Sequence, residues 1–225
     1  TAAWTCVAGS ERLMPRDPVG RVFKPAAFLA ALLPLALTVA GALGVAGASL
    51  GADPVEKILV TFGKTALNLL LLTLACSPLR ELTGSVQWLR FRRMLGLFAF
   101  SYALLHLLSY AVLDLGLDFR HLGADIVKRP FITIGFIALL AMLPMAATST
   151  ARAMRRLGRR WQRIHYLVYP VAILGVWHYW WQVKADVREP LVYATLLTLL
   201  LGWRLVRRRR RATSTSGSAT APGRT

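Results

Sequence analysis

Four histidines occur in the 225 residues, and three of them, His106, His165 and His178, stand inside apolar runs. An ionisable side chain in such a run is costly to bury, so its presence there points to a function. Neutral imidazole is also a standard ligand for iron and other borderline metals. His165 and His178 share one run, 13 residues or roughly 20 Å of helix apart. An ideal helix turns them about 140° from each other, and Pro170 between them is placed to kink it. His106 lies midway along a separate run. Imidazoles from two helices can clamp a flat macrocycle, which is the geometry of a b-type haem carrying electrons. The plainer reading of each is a histidine that only hydrogen-bonds a neighbouring helix.

The elements that must position these rings are membrane helices. The chain is 56% hydrophobic with a mean hydropathy of +0.50, and its apolar residues come in blocks of about 20, enough to cross a hydrocarbon core of about 30 Å. The expected fold is all-α, an integral membrane bundle of six transmembrane helices. The spans are expected near residues 24–46, 58–77, 93–115, 130–149, 163–183 and 190–206. Residues 1–22 read as a polar tail without the apolar core of a signal peptide, 23–206 as one bundle, and 207–225 as a basic, disordered tail. There is no convincing internal repeat. Cys6 and Cys76 form no CxxC or CxxCH, so neither a zinc site nor covalent haem attachment is supported, and two free thiols are expected.

The basic residues fix an orientation. One set comprises Arg12, Arg16, Arg21 and Lys24, then Arg80, Arg90, Arg92 and Arg93, then Arg152 to Arg163, then Arg204, Arg207 to Arg211 and Arg224. These groups fall on alternate connections and so share one side of the membrane. The whole formal excess of +18 lies there, while the other side has seven basic and seven acidic residues. By the positive-inside rule both termini are cytoplasmic. The charge is thereby explained by topology and lipid headgroups, and nucleic acid is not an expected partner. Tyr179, Trp180 and Trp181 at the outer end of the fifth span, and Trp161 and Tyr166 at its inner end, fit aromatic belts.

Depth follows from the same counting. His106 is 13 residues beyond Arg93 and His178 is 15 beyond Arg163, so both fall in the outer half at similar depth. They are the natural axial pair for one haem. His165, two residues beyond Arg163, would serve an inner site. Arg92 stands 14 residues before His106, nearly four turns, and faces about the same way. It could bind a haem propionate, pair with a flavin phosphate or mark the membrane edge. His121, beside Arg120 in an outer connection, reads as a solvated residue. Asp114 reads as a helix-end residue or a proton relay. No GxGxxG follows a strand-like run and no P-loop occurs, so electrons are expected from another protein, a membrane quinol or a small bound flavin.

The segments GADPVEKILVTFGKTAL, SPLRELTG, RFRRMLGLFAFSYALLHLLSYAVLDLG, KRPFITIG and TSTARAMRRLGRRWQRIHYLVYPVAILGVWHYWWQVKAD resemble the haem-binding membrane subunits MsrQ (YedZ) of the bacterial methionine sulfoxide reductase system. The similarity covers roughly residues 25–205. It implies a six-helix, ferric-reductase-like fold in the inner membrane, with haem b and FMN as cofactors. It also implies quinol as electron donor and a periplasmic molybdopterin reductase, MsrP, as heterodimeric partner. The family's histidine ligands map onto His106, His165 and His178. A stand-alone ferric or cupric reductase is the alternative within redox chemistry, and a small transporter or assembly factor is the alternative outside it.

Overall fold

A computed structural model describes residues 18–47, 49–85, 87–183 and 186–217 of the chain. Cys6, most of the expected 1–22 tail and residues 218–225 lie outside the described residues. All described secondary structure is helical. Helix α1 spans Pro18–Ala42, α2 Pro54–Thr83 and α3 Gln87–Ser109, the last continuing into a π-helical turn at Tyr110–Asp114. A short helix α4, Phe119–Lys128, leads to α5, Pro130–Ala147. Two seven-residue helices follow, α6 Ala151–Leu157 and α7 Arg159–His165, then α8 Val168–Gln182 and α9 Arg188–Gly217.

Helix α2 is the central pillar. The carboxylate of Asp53 accepts from the backbone N–H of Glu56 at 2.9 Å, and Pro54 occupies the first turn, where its missing N–H costs nothing. The helix ends at Gly84, whose φ of 68° is the left-handed conformation that glycine adopts without penalty. Along its middle, Leu67, Leu70, Leu71 and Leu74 are buried against Ala99 and Tyr102 of α3, Val171 and Val176 of α8, and Leu197 of α9. The outward surface is equally apolar: Leu29, Leu33, Leu37, Leu140, Leu143 and Leu199 all stand exposed. An apolar interior wrapped in an apolar exterior suits a hydrocarbon solvent, not water.

Helix α1 is tied to this core by one hydroxyl. Tyr102, 2% exposed, donates to the carbonyl of Ala31 at 2.7 Å and accepts from the N–H of Leu35 at 3.1 Å. Those two backbone groups would otherwise bond each other. The tyrosine therefore inserts into the helical ladder just where Pro34 already lacks an N–H.

Five helices are long and apolar enough to cross a membrane: Val22–Ala42, Pro54–Thr83, Gln87–Asp114, Pro130–Ala147 and Arg188–Arg207. The expected span at 163–183 takes a different form. It is broken after His165, and α8 restarts at Val168 with only 15 residues. Pro170 supplies the reason. It has no N–H to give to the carbonyl of Tyr166, which is taken instead by the N–H of Tyr169 at 3.2 Å. The C-terminal side also differs from expectation, because α9 runs on to Gly217 where a disordered tail was expected from 207. Arginine is a good helix former, and extending an existing helix is far easier than starting one.

Candidate functional site

The structure brings His106 and His178 together. Their ring centroids are 6.2 Å apart, with the planes at 78°. The two rings come from α3 and α8 and are half-buried. Each is anchored in the same way by a neighbouring helix. Nδ1 of His106 lies 2.9 Å from the carbonyl oxygen of Leu59 on α2, and Nδ1 of His178 lies 2.7 Å from that of Phe131 on α5. Only a protonated Nδ1 satisfies a carbonyl, so both rings are held as the tautomer with Nε2 free. Metal-ligating histidines are typically fixed like this by the second ring nitrogen.

A helix normally covers its own carbonyls with side chains, and here glycine removes the cover. Gly63 stands one turn after Leu59, and Gly135 one turn after Phe131. A Cβ on Gly63 would sit 3.2 Å from Nδ1 of His106, and one on Gly135 only 2.8 Å from Nδ1 of His178. In both cases the carbonyl lies 47 residues before the histidine it holds. The α2–α3 and α5–α8 pairs thus repeat one device.

The pair fits an axially ligated haem. Two imidazoles bound through Nε2 at about 2.0–2.1 Å to one metal place their ring centres about 6 Å apart, and the observed separation is 6.2 Å. Among the described residues no group of three or more His, Cys, Asp or Glu gathers to form a cation cage, so two facing imidazoles are the donor set on offer.

His165 lies elsewhere. Its ring stacks on Trp161 with centroids 3.9 Å apart, and its Nδ1 is 3.1 Å from the carbonyl of the same residue. It lines an inner cavity of about 710 Å³ together with Arg92, Trp161, Tyr169, Met142 and Arg204. Arg92 and His165 line the same cavity, whereas Arg159, Arg160 and Arg163 are exposed and do not line it. Sequence reasoning missed Gly63, Gly135 and Arg204. The glycines were signalled, since an isolated glycine within a helical pattern often marks a close approach. Arg204 looked like one more charge of the C-terminal basic run.

His121 and Asp114 resolve simply. His121 is on the first turn of α4, exposed, with Nδ1 2.7 Å from the Asp118 carboxylate that caps the helix. That contact and the capping N–H groups hold the Asp118 carboxyl below its usual range. Asp114 ends the π-helical turn and is exposed.

Comparison with known proteins agrees with this architecture. Residues 60–176 match the family described as ferric reductase like transmembrane component. A haem-binding subunit MsrQ of protein-methionine-sulfoxide reductase from Xanthomonas campestris pv. campestris is 55% identical over 160 residues, covering 71% of this chain and 73% of its own. The protein of that name from Xanthomonas axonopodis pv. citri is 51% identical over 174 residues, covering 77% and 80%. The one from Rhodospirillum rubrum is 50% identical over 208 residues, covering 91% and 97%. No solved structure matches. The chain is a multi-pass membrane protein, and it belongs to the ferric-reductase-like transmembrane family and, within that family, to the MsrQ subunits.

Proposed function

We propose that this protein conducts electrons across a bacterial inner membrane through a b-type haem held by His106 and His178, and passes them to a reductase on the outer side. The observation that carries the reading is the pair of Nδ1-anchored imidazoles at 6.2 Å. The relatives' shared name, haem-binding subunit of a methionine sulfoxide reductase, supports it. When bound, haem supplies a one-electron carrier at the depth of these rings. The protein's own residues do the rest. Leu59 and Phe131 fix the tautomers, Gly63 and Gly135 let the rings approach, and the apolar shell keeps water out.

In this reading the bundle has six spans, with α8 as the short sixth, and both termini are cytoplasmic by the distribution of arginine. The donor is membrane quinol, with FMN as an inner cofactor. The acceptor is a periplasmic molybdopterin reductase of the MsrP kind, forming a heterodimer with this subunit. Reducing a methionine sulfoxide takes two electrons and two protons and releases water, so a one-electron carrier must deliver twice per turnover.

The test starts with haem pre-reduced in the purified protein. Oxidised MsrP plus methionine sulfoxide should sustain reoxidation, and MsrP alone should stop once it is filled. The family match also favours a second reading, a ferric reductase. Rapid saturable turnover with ferric chelate, and no effect of sulfoxide in the presence of MsrP, would establish that reading instead.

A further inference from the structure

Each of the facing imidazoles moves with a pair of helices. His106 stands on α3 and is held by Leu59 of α2, whereas His178 stands on α8 and is held by Phe131 of α5. The angle between the rings is therefore the angle between the α2–α3 pair and the α5–α8 pair. An anchor inside one pair cannot set it. A tie that sets it has to cross from pair to pair, close to the rings.

Two carboxylates make that crossing. Asp125 of α4 accepts from the Tyr110 hydroxyl at 2.5 Å and pairs with Nε of Arg129 at 3.2 Å. Tyr110 lies one turn beyond His106, and Arg129 lies at the head of α5, two residues before Phe131. Glu189 of α9 accepts from the Tyr179 hydroxyl and, through the same oxygen, pairs with Lys64. Tyr179 follows His178 on α8, and Lys64 follows Gly63 on α2. Lys64 also lies 5.8 Å from the centre of the Tyr179 ring. Each bridge joins a tyrosine of one pair to a cation of the other, and the two bridges exchange these roles. Every attachment point is within one turn of a histidine, its carbonyl anchor or its glycine. A lysine in the apolar run of α2 is costly unless it serves a purpose of this kind.

We propose that Asp125 and Glu189 are positioning residues that lock the two helix pairs together and hold the axial imidazoles crossed, at the 78° found between their planes. The proposal rests on the haem reading and names what tunes the carrier. An axial imidazole donates π density into the iron orbital that lies across its own plane. Crossed rings load the two iron π orbitals alike, whereas parallel rings raise only one. Ferric iron has one vacancy in this set and is stabilised when a single orbital is raised. Crossed rings therefore favour the reduced carrier and raise its potential.

The test uses the full-length, haem-loaded protein, with electron paramagnetic resonance, redox titration and thermal melting on the same samples. The wild type should give a strongly axial low-spin signal dominated by one broad low-field line. Tyr110→Phe and Tyr179→Phe alter no charge and little volume. Each should move part of the signal towards three resolved rhombic lines and lower the midpoint potential, with haem per chain unchanged. The effect should be larger for Tyr110→Phe, because the Asp125 side chain is 17% exposed and that of Glu189 61%, so water screens the second bridge. Asp125→Asn should change the line shape as Tyr110→Phe does, and the double variant should go no further than either single one. Asp125→Glu should keep more of the axial signal than Asp125→Asn. Asp118→Asn removes the cap of the same α4 helix without touching a bridge, and should lower the melting temperature alone.

If both tyrosine variants keep the wild-type line shape and potential, even with a lower melting temperature, the bridges only stabilise the fold and the inference is overturned. A rhombic signal in the wild type overturns it too, because the rings are then not crossed. Should Asp125→Asn fail to fold, Tyr110→Phe decides the matter. A wild type without low-spin haem sinks the haem reading, whereas a low-spin signal indifferent to both tyrosine variants sinks this inference alone.

Discussion

His178 and Gly135 act as one unit, and so do His106 and Gly63. Restoring a methyl at 135 would put carbon 2.8 Å from Nδ1, closer than any ordinary contact. Gly135→Ala should therefore displace His178 and lower the content of low-spin haem sharply, measured by absorbance per purified chain. Gly63→Ala, with 3.2 Å available to His106, should do the same more mildly. Equal and undiminished haem in both variants would show that neither glycine is a cradle. Tyr102→Phe belongs to the fold, not the site. Removing the hydroxyl takes the partner from the Ala31 carbonyl and the Leu35 N–H of α1, which can bond each other again only if the ring withdraws, and should cost about 1–3 kcal/mol. A lower melting temperature with an unchanged haem spectrum is the expected pair of results. The sequence made the histidines legible, because counting from Arg93 and Arg163 put His106 and His178 at one depth. The glycines and the two carbonyls were not legible. A backbone acceptor has no side-chain signature, and a contact 47 residues away leaves no local period.

At the scale of elements, the repeated device on α2–α3 and α5–α8 explains a feature the sequence concealed. No repeat is visible in residue identity, yet each half supplies a carbonyl, a glycine one turn on and a histidine at the same spacing. Five of the expected spans are helices long and apolar enough to cross a membrane. The fifth in chain order is equally apolar in sequence but is broken just ahead of Pro170. What looked like one run of 163–183 is two helices, with His165 ending the first and His178 near the close of the second. The 140° separation of an ideal helix therefore never applies. Pro170→Ala should give the Tyr166 carbonyl a proper donor and draw α7 and α8 towards one continuous helix. His165 should then shift relative to the inner cavity while His178 stays seated against Phe131. The expected signature is a changed affinity for an inner ligand with an unaltered low-spin spectrum. Loss of that spectrum would instead mean that the break itself sets the position of His178.

In the proposed topology the arginines gather on the cytoplasmic side; Arg204 and Arg207 line the cavity that holds His165, and the facing imidazoles of His106 and His178 form a separate site. Single cysteines placed near Gly51, His121 and Asp186 should react with an impermeant thiol reagent from the periplasm. Cysteines near Gly84 and Gly158 should react only from the cytoplasm, and Cys76 is buried and should stay silent. The opposite pattern would reverse the direction of electron flow. The claim on which all of this depends is that His106 and His178 are the two axial ligands of one haem. Electron paramagnetic resonance of the oxidised, purified protein tests it most directly. We expect a low-spin bis-imidazole signal in the wild type and in His165→Ala, and its loss or conversion to high spin in His106→Ala and in His178→Ala. A bis-imidazole signal that survives in both of the latter variants, or a wild type that purifies without haem, would contradict the assignment.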